Sequence, residues 1–268
     1  MQYTLITGAC GGLGGAFVEE LASRGENLFL TGRSTERLIV LKDDVTSRYP
    51  AIKIGTFACD LTQECERAAH FAYMDEEGIV PNRLVYVAGV DTQMAFEKYD
   101  EARILMQTRT NFEGALSLMR GVIARAPLDG KTELLAIGSM SAIGPMPYFA
   151  LYSASKKALE HFCSALRTEL KGRAKVTCVL PGGIPTREDI KENIRSHGFF
   201  GRVSAKSPRA VALASLKAVR KNKRRKIIGF WNRVICFFSA MCPTPLRLKI
   251  IARIWRRTEK DHFSQKAQ

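Results

Sequence analysis

The sequence predicts an α/β fold with a parallel sheet covered by helices on both faces. Three observations carry this. Short, unbroken apolar runs recur through the first 180 or so residues. Each is followed by a stretch of helical pattern. A glycine-rich turn stands directly between the first run and the first helix. Strands buried on both faces read as continuous rather than alternating apolar runs. Regular strand–helix alternation is the pattern of a parallel sheet with crossover helices.

Taken in order, the runs are "YTLIT", "NLFLT", "IKIGTF", "RLVYVA", "ELLAIG" and "KVTCVL". Helical segments are expected at Leu13–Arg24, Thr35–Arg48, Cys65–Glu76, Ala102–Ala126 and Tyr152–Lys171. A further helix, Ser207–Lys221, precedes "KNKRRKIIGF", which can add a last strand. From Trp231 onward the composition changes, so the chain divides into a body over 1–230 and an extension over 231–268.

The charge divides in a similar way. Residues 1–201 hold 23 Lys and Arg against 24 Asp and Glu, whereas 202–268 hold 18 against 2. The net charge of +15 is therefore a property of the C-terminal quarter, and any polyanion or membrane argument rests there. The seven cysteines form no CxxC pair and no zinc-spaced cluster, so no metal site is expected. No leader-like segment precedes the first apolar run, and a reduced, cytoplasmic setting is the simplest expectation.

The first turn reads "TGACGGLGGAF", with Gly8, Gly12 and Gly14 at G-x-x-x-G-x-G spacing. After a strand and before a helix, such glycines permit a tight turn and a close approach to a pyrophosphate at the helix N-terminus. Elsewhere the same composition would be a mere loop. The second run ends at Arg33 and Ser34, where a dinucleotide fold meets the adenosine ribose. An arginine there accommodates a 2′-phosphate, an acid a 2′-hydroxyl, so NADP(H) is favoured over a solvated-arginine reading. Asp60 ends the third run and can accept from an adenine amino group, cap the next helix, or both. Tyr152 and Lys156 lie four apart in "LYSASKKALEHF", on one helix face. They are either a surface pair or an acidified phenol and its cation.

Together the Gly8–Gly14 turn, Asp60, "VAG" at 87–89, Asn111, Ser139, Tyr152-x-x-x-Lys156 and "PGGIPT" at 181–186 resemble the short-chain dehydrogenase/reductase family. The resemblance spans about residues 2–230 and includes the gap of 13 between Ser139 and Tyr152. It implies a single doubly wound Rossmann-fold domain with a seven-stranded parallel sheet. It also implies hydride transfer between a nicotinamide cofactor and a carbonyl or alcohol. Tyr152 would be the general acid/base, with its phenol made more acidic by Lys156, which would also hold the nicotinamide ribose. Ser139 would polarise the substrate oxygen and Asn111 would hold a proton-relay water. Cofactor contacts are implied at Gly8, Gly12, Leu13, Gly14, Arg33, Ser34, Asp60, Leu61, Ala88, Gly89, Tyr152, Lys156, Pro181, Gly182 and Thr186. Two departures stand out. Tyr86 and Val87 replace the family's paired asparagines, which predicts altered local packing, and Cys10 replaces a serine in the glycine turn.

Phe199 and Phe200, with "PMPYF" at Pro145–Phe149, suggest an apolar substrate wall for a steroid or a long acyl chain. In the extension, Ile227–Cys242 is mostly apolar but shorter than the roughly 20 residues needed to span a bilayer. Beyond it, Leu248, Ile250, Ile251, Ile254 and Trp255 share one helical arc, opposite Lys249, Arg253, Arg256 and Arg257, with Arg247 out of place. Packing on the body and peripheral membrane contact through 231–268 are both open readings; nucleic acid is not expected, since no nucleic-acid motif accompanies the basic residues. A homo-oligomer is expected by the resemblance. The alternative to an enzyme is a non-catalytic NADP(H)-sensing or membrane-surface interaction protein on the same fold.

Overall fold

The computed structural model describes residues 1–186, 190 and 203–256. Its strands are β1 (Gln2–Thr7), β2 (Leu28–Gly32), β3 (Ile54–Ala58), β4 (Val80–Tyr86), β5 (Thr132–Ile137), β6 (Ala174–Leu180) and β7 (Arg225–Ile227). They form one seven-stranded sheet in the order β3-β2-β1-β4-β5-β6-β7. Every neighbouring pair is parallel. The order reverses between β1 and β4, and in open parallel sheets the crevice at such a reversal, beyond the strand C-termini, takes the ligand.

Alternate residues of each strand feed two cores. On one face Leu5, Leu84, Leu134 and Val176 pack with Leu118, Val122, Leu159 and Cys163. The helices covering that face are α3 (Glu64–Glu76), α5 (Gly114–Arg125) and α6 (Ala150–Glu169). On the other face Ile6, Val85, Leu135 and Val179 pack with Phe17, Leu21, Leu38 and Leu216. Those come from α1 (Gly12–Ala22), α2 (Thr35–Arg48) and α7 (Pro208–Arg220). Burying each such side chain stabilises the fold by about 1.5–3 kcal/mol before its entropy cost. Pro81 enters β4 where the register slips opposite Tyr3 and Thr4, so the missing proline N–H costs the ladder little.

Two local differences from the sequence reading bear on function. The expected helix 102–126 forms, but not uniformly: α4 (Glu101–Thr108) and α5 are continuous through a π turn over Arg109–Glu113. In the extension, α8 (Phe230–Met241) and α9 (Thr244–Trp255) both pack on the body. Asn232, which interrupts the apolar run of α8, is fully buried; its Nδ2 donates to the carbonyls of Ser204 at 2.9 Å and Ile228 at 2.6 Å. A Cβ on Gly182 would come within 2.9 Å of that same nitrogen, so the turn after β6 and α8 interlock. Arg247, out of place on sequence grounds, lies across Gly144 and donates to the Ser239 carbonyl at 3.0 Å. Among the described residues no helix is long and apolar enough to cross a membrane.

Candidate active site

The β1–β4 crevice is shaped by glycine at positions where nothing larger fits. Gly8 has φ +62, and a Cβ there would press on the Ala88 backbone at 3.3 Å. A Cβ on Gly14 would sit 2.1 Å from the Gly8 carbonyl oxygen, an impossible contact. Gly12 lies against Thr186, whose Cβ would be 2.9 Å from an added Cβ. These three glycines leave a cradle that side chains would fill. The N-cap of α1, Gly11, has no side-chain capping bond, so the first helical N–H groups face the crevice unclaimed. A pyrophosphate fits this donor set. Leu13 and Leu61 turn their side chains into the cores, so only their backbones can reach a cofactor.

The brace between the strand ends comes from an unexpected residue. Thr7 Oγ1 accepts from the N–H groups of Val87 at 2.9 Å and Ala88 at 3.0 Å. Tyr86 turns into the core, and its hydroxyl donates to the Thr110 carbonyl inside the π turn. Thr7, at the end of β1, thus ties down the backbone just after β4 beside Tyr86.

At the ribose end, Arg33 is exposed and makes no hydrogen bond or ion pair among the described residues. Ser34 caps α2, accepting from Arg37 N–H at 3.2 Å. The Arg37 guanidinium reaches back to the Cys10 carbonyl at 2.9 Å, bringing a second cation to the glycine turn. Asp60 accepts from Thr62 N–H at 2.9 Å, which closes a turn ahead of α3 rather than capping the helix itself, whose N-cap is Gln63.

The π turn delivers Asn111. Its amide grips one residue on both sides: Oδ1 accepts from Val90 N–H and Nδ2 donates to the Val90 carbonyl, each at 2.8 Å. Nδ2 also donates to Ser155 Oγ at 3.2 Å, and Ser155 in turn donates to the Tyr152 carbonyl at 2.8 Å. Asn111 is therefore tied to the helix turn that carries Tyr152 and Lys156. Lys156 is almost fully buried and donates to the Ile137 carbonyl at 3.0 Å. Gly89 permits this, because a Cβ there would lie 3.1 Å from the ammonium. Burial lowers the Lys156 pKa to about 8, with the Cys178 thiol and the Asp91 carboxylate acting the other way.

Burial, and then the Asp91 charge, push the Tyr152 pKa well above the ordinary phenol range, with Ser139 acting the other way. The ammonium of Lys156 lies 5.7 Å from the phenol ring centre. In the protein alone the phenol is thus held protonated rather than acidified. Phe149 stacks on Tyr152 with ring centres 4.3 Å apart, and Trp255 stacks on Phe149 at 5.0 Å. Tyr148, just ahead, is held at φ 61, a strained backbone for a bulky residue, where the loop turns Phe149 inward.

The sequence profile of the short chain dehydrogenases matches residues 2–196. The chain belongs to that family. It has the fold of that oxidoreductase family, whose members use a nicotinamide cofactor. It is 33% identical over 173 residues to a very-long-chain 3-oxoacyl-CoA reductase of Neurospora crassa, a match covering 63% of this chain and 52% of that one. The chain thus spans about half the length of that relative. An 11-beta-hydroxysteroid dehydrogenase-like protein of Arabidopsis thaliana is 27% identical over 90% of this chain and 81% of its own. The inactive hydroxysteroid dehydrogenase-like protein 1 of Homo sapiens is 28% identical over 89% and 71%. Among solved structures, a 7beta-hydroxysteroid dehydrogenase superposes with a TM-score of 0.79 at 21% identity, covering 94% of this chain and 96% of that one. That likeness speaks for the fold.

Asn111, Tyr152 and Lys156 are brought together through Ser155, with Ser139 near enough to act on the Tyr152 phenol. Thr7, Arg37, Asp91, Ser155 and Trp255 escaped the sequence pattern. Arg37 had a legible signal, lying four residues beyond Arg33. Ser155 lies inside the quoted Tyr–Lys motif but has no role until the π turn approaches it. Phe199 and Phe200 lie outside the described residues.

Proposed function

We propose that the protein is an NADP(H)-dependent oxidoreductase that interconverts a carbonyl and a secondary alcohol on a bulky apolar substrate, of steroid or long-chain 3-oxoacyl type. The observation that carries this reading is the buried Lys156 beside the Tyr152 ring, on a helix turn tied to Asn111 through Ser155. When bound, a nicotinamide supplies the hydride in reduction and takes it in oxidation. Ser139 then donates to the substrate oxygen and holds it at the Tyr152 hydroxyl. Tyr152, kept protonated by burial, gives its proton to that oxygen as negative charge develops there. Lys156 stabilises the resulting phenolate and is positioned to hold the cofactor's ribose. Asn111 fixes Val90 and Ser155, and so the helix turn beneath Tyr152. In the oxidative direction each transfer reverses.

Arg33 and Arg37 support NADP(H), since two guanidinium groups suit a 2′-phosphate. Phe149 and Trp255 support an apolar substrate, because both lie on the Tyr152 side of the cleft. The names of the long-chain reductase and hydroxysteroid relatives point the same way. In this reading residues 1–230 form the catalytic domain and 231–268 an extension that closes it. Free thiols at all seven cysteines support a reducing, cytoplasmic setting. A homo-oligomer remains the expectation.

The test is NADPH oxidation against a panel of steroid ketones, long-chain 3-oxoacyl thioesters and small polar ketones. Turnover is expected with the apolar set; preference for the polar set overturns the substrate class. Arg33→Asp should weaken NADPH far more than NADH, and an unchanged preference would move the 2′-phosphate contact elsewhere.

A further inference from the structure

Among the described residues, most of the exposed large apolar side chains lie on α8 and α9. On α8, Phe230, Trp231, Phe237, Phe238 and Met241 are 54–69% exposed. At 100° per residue they occupy one arc of about 120°, opposite the buried Asn232 and Cys236. On α9, Leu246, Ile250 and Ile254 are 47–52% exposed and follow each other at four-residue steps. The apolar arc read from the sequence is therefore two arcs. Leu248, Ile251 and Trp255 turn toward the body with Arg247, whereas Ile250 and Ile254 turn out.

The cations complete the pattern. Lys249, Arg253 and Arg256 are exposed and border the outward apolar arc of α9 on the side away from the body. Arg233 lies over the Phe230 ring at 5.7 Å on α8. Residues 202–268 hold only two acidic side chains, so no balancing charge is nearby in sequence. A helix with one face on the body, one exposed apolar face and a basic flank is built to lie in a lipid–water interface. Neither helix can cross the bilayer.

We infer that the outward face of α8 and α9 docks on an anionic lipid surface, with the aromatic and aliphatic side chains entering the headgroup region and Lys249, Arg253 and Arg256 meeting lipid phosphates and carboxylates. This goes beyond the catalytic reading and does not depend on it. The inner face of the same helix places Trp255 on Phe149, so the docked helix also walls the cleft.

The full chain is sedimented with phosphatidylcholine vesicles and with vesicles in which about a third of the lipid is phosphatidylserine, at about 0.1 M salt. Binding is expected to be at least ~10-fold tighter to the anionic vesicles, since each cation near the surface adds about 1 kcal/mol. The double variant Phe237→Ser/Phe238→Ser should lose binding to both kinds of vesicle. The triple variant Lys249→Gln/Arg253→Gln/Arg256→Gln should lose the preference for the anionic kind. Circular dichroism of each variant reports folding, and NADPH turnover is followed in parallel. Absence of turnover by the parent chain with vesicle binding intact would sink the enzymatic reading and leave this one standing. Absence of vesicle binding by the parent chain overturns the inference. So does vesicle binding that the exposed variants leave unchanged. A parent dimer that Phe237→Ser/Phe238→Ser makes monomeric, with no vesicle binding, assigns the face to a second copy instead. Binding of duplex DNA in place of vesicles assigns it to a polyanion.

Discussion

Phe17 and Phe29 are wholly buried in the two cores, whereas Phe237 and Phe238 are 61% and 65% exposed on α8. The body and the extension use the same residue type for opposite purposes. In the body, both faces of the sheet are covered and the cradle glycines admit nothing larger, so the site is fixed by packing. Among its described residues the extension buries only Asn232 and Cys236, and Arg247 and Trp255 anchor α9 at Gly144 and Phe149. The body is tightly packed on both faces of its sheet, whereas the half-packed extension presents apolar and basic surface that a partner can cover.

Substitutions can break this contrast, and the largest effect is expected in the cradle. Gly14→Ala forces a Cβ onto the Gly8 carbonyl, and nucleotide affinity should fall ~100-fold or more. Isothermal titration with NADPH reads this; near-parent affinity would mean the turn is far softer than its contacts indicate. Acid comes next. His70 is fully enclosed by Phe29, Phe57 and Phe71, and burial lowers its pKa to about 4. The unfolded chain takes up a proton near pH 6.5 that the folded chain refuses until about 4, so stability falls as pH drops through that window. The loss approaches about 3 kcal/mol, and His70→Leu should flatten that part of the urea-unfolding profile. An unchanged acid slope would assign it to other groups.

Asn232→Ala tests the extension's main latch. It removes the Nδ2 donor that reaches the Ser204 and Ile228 carbonyls and should cost about 1–3 kcal/mol. If the extension unfolds apart from the body, thermal melting should split into two transitions. Trp255→Ala should move KM for bulky substrates by several-fold with little change in kcat, because it removes a wall and not a reacting group. The smallest effect belongs to Phe237→Ser/Phe238→Ser, expected within about 0.5 kcal/mol per site in solution.

The sheet was legible in the sequence because strands buried on both faces leave unbroken apolar runs, and the motif residues were legible because their order and spacing are rigid. The π turn was not. Residues 102–126 carry one continuous helical pattern, and the extra residue is set by tertiary partners, Tyr86 at Thr110 and Ser155 at Asn111. Thr7 was hidden for a similar reason, since a buried strand threonine has no signature until the neighbouring strand end approaches it. On α9, periodicity marked one apolar arc but could not tell its inner from its outer part, which only docking on Gly144 and Phe149 decides. The environment of Tyr152 was not legible either: burial and the Asp91 charge, which push its phenol up, and the turn of the Lys156 ammonium toward Ile137 come from tertiary packing.

The central claim, that Tyr152 carries the proton in a site otherwise shaped by the body, is tested most directly by Tyr152→Phe. Single-turnover NADPH oxidation with a long-chain 3-oxoacyl thioester or a steroid ketone should slow by about 10²–10⁴-fold, while NADPH affinity stays within about twofold of the parent. Turnover that survives at the parent rate would contradict the account.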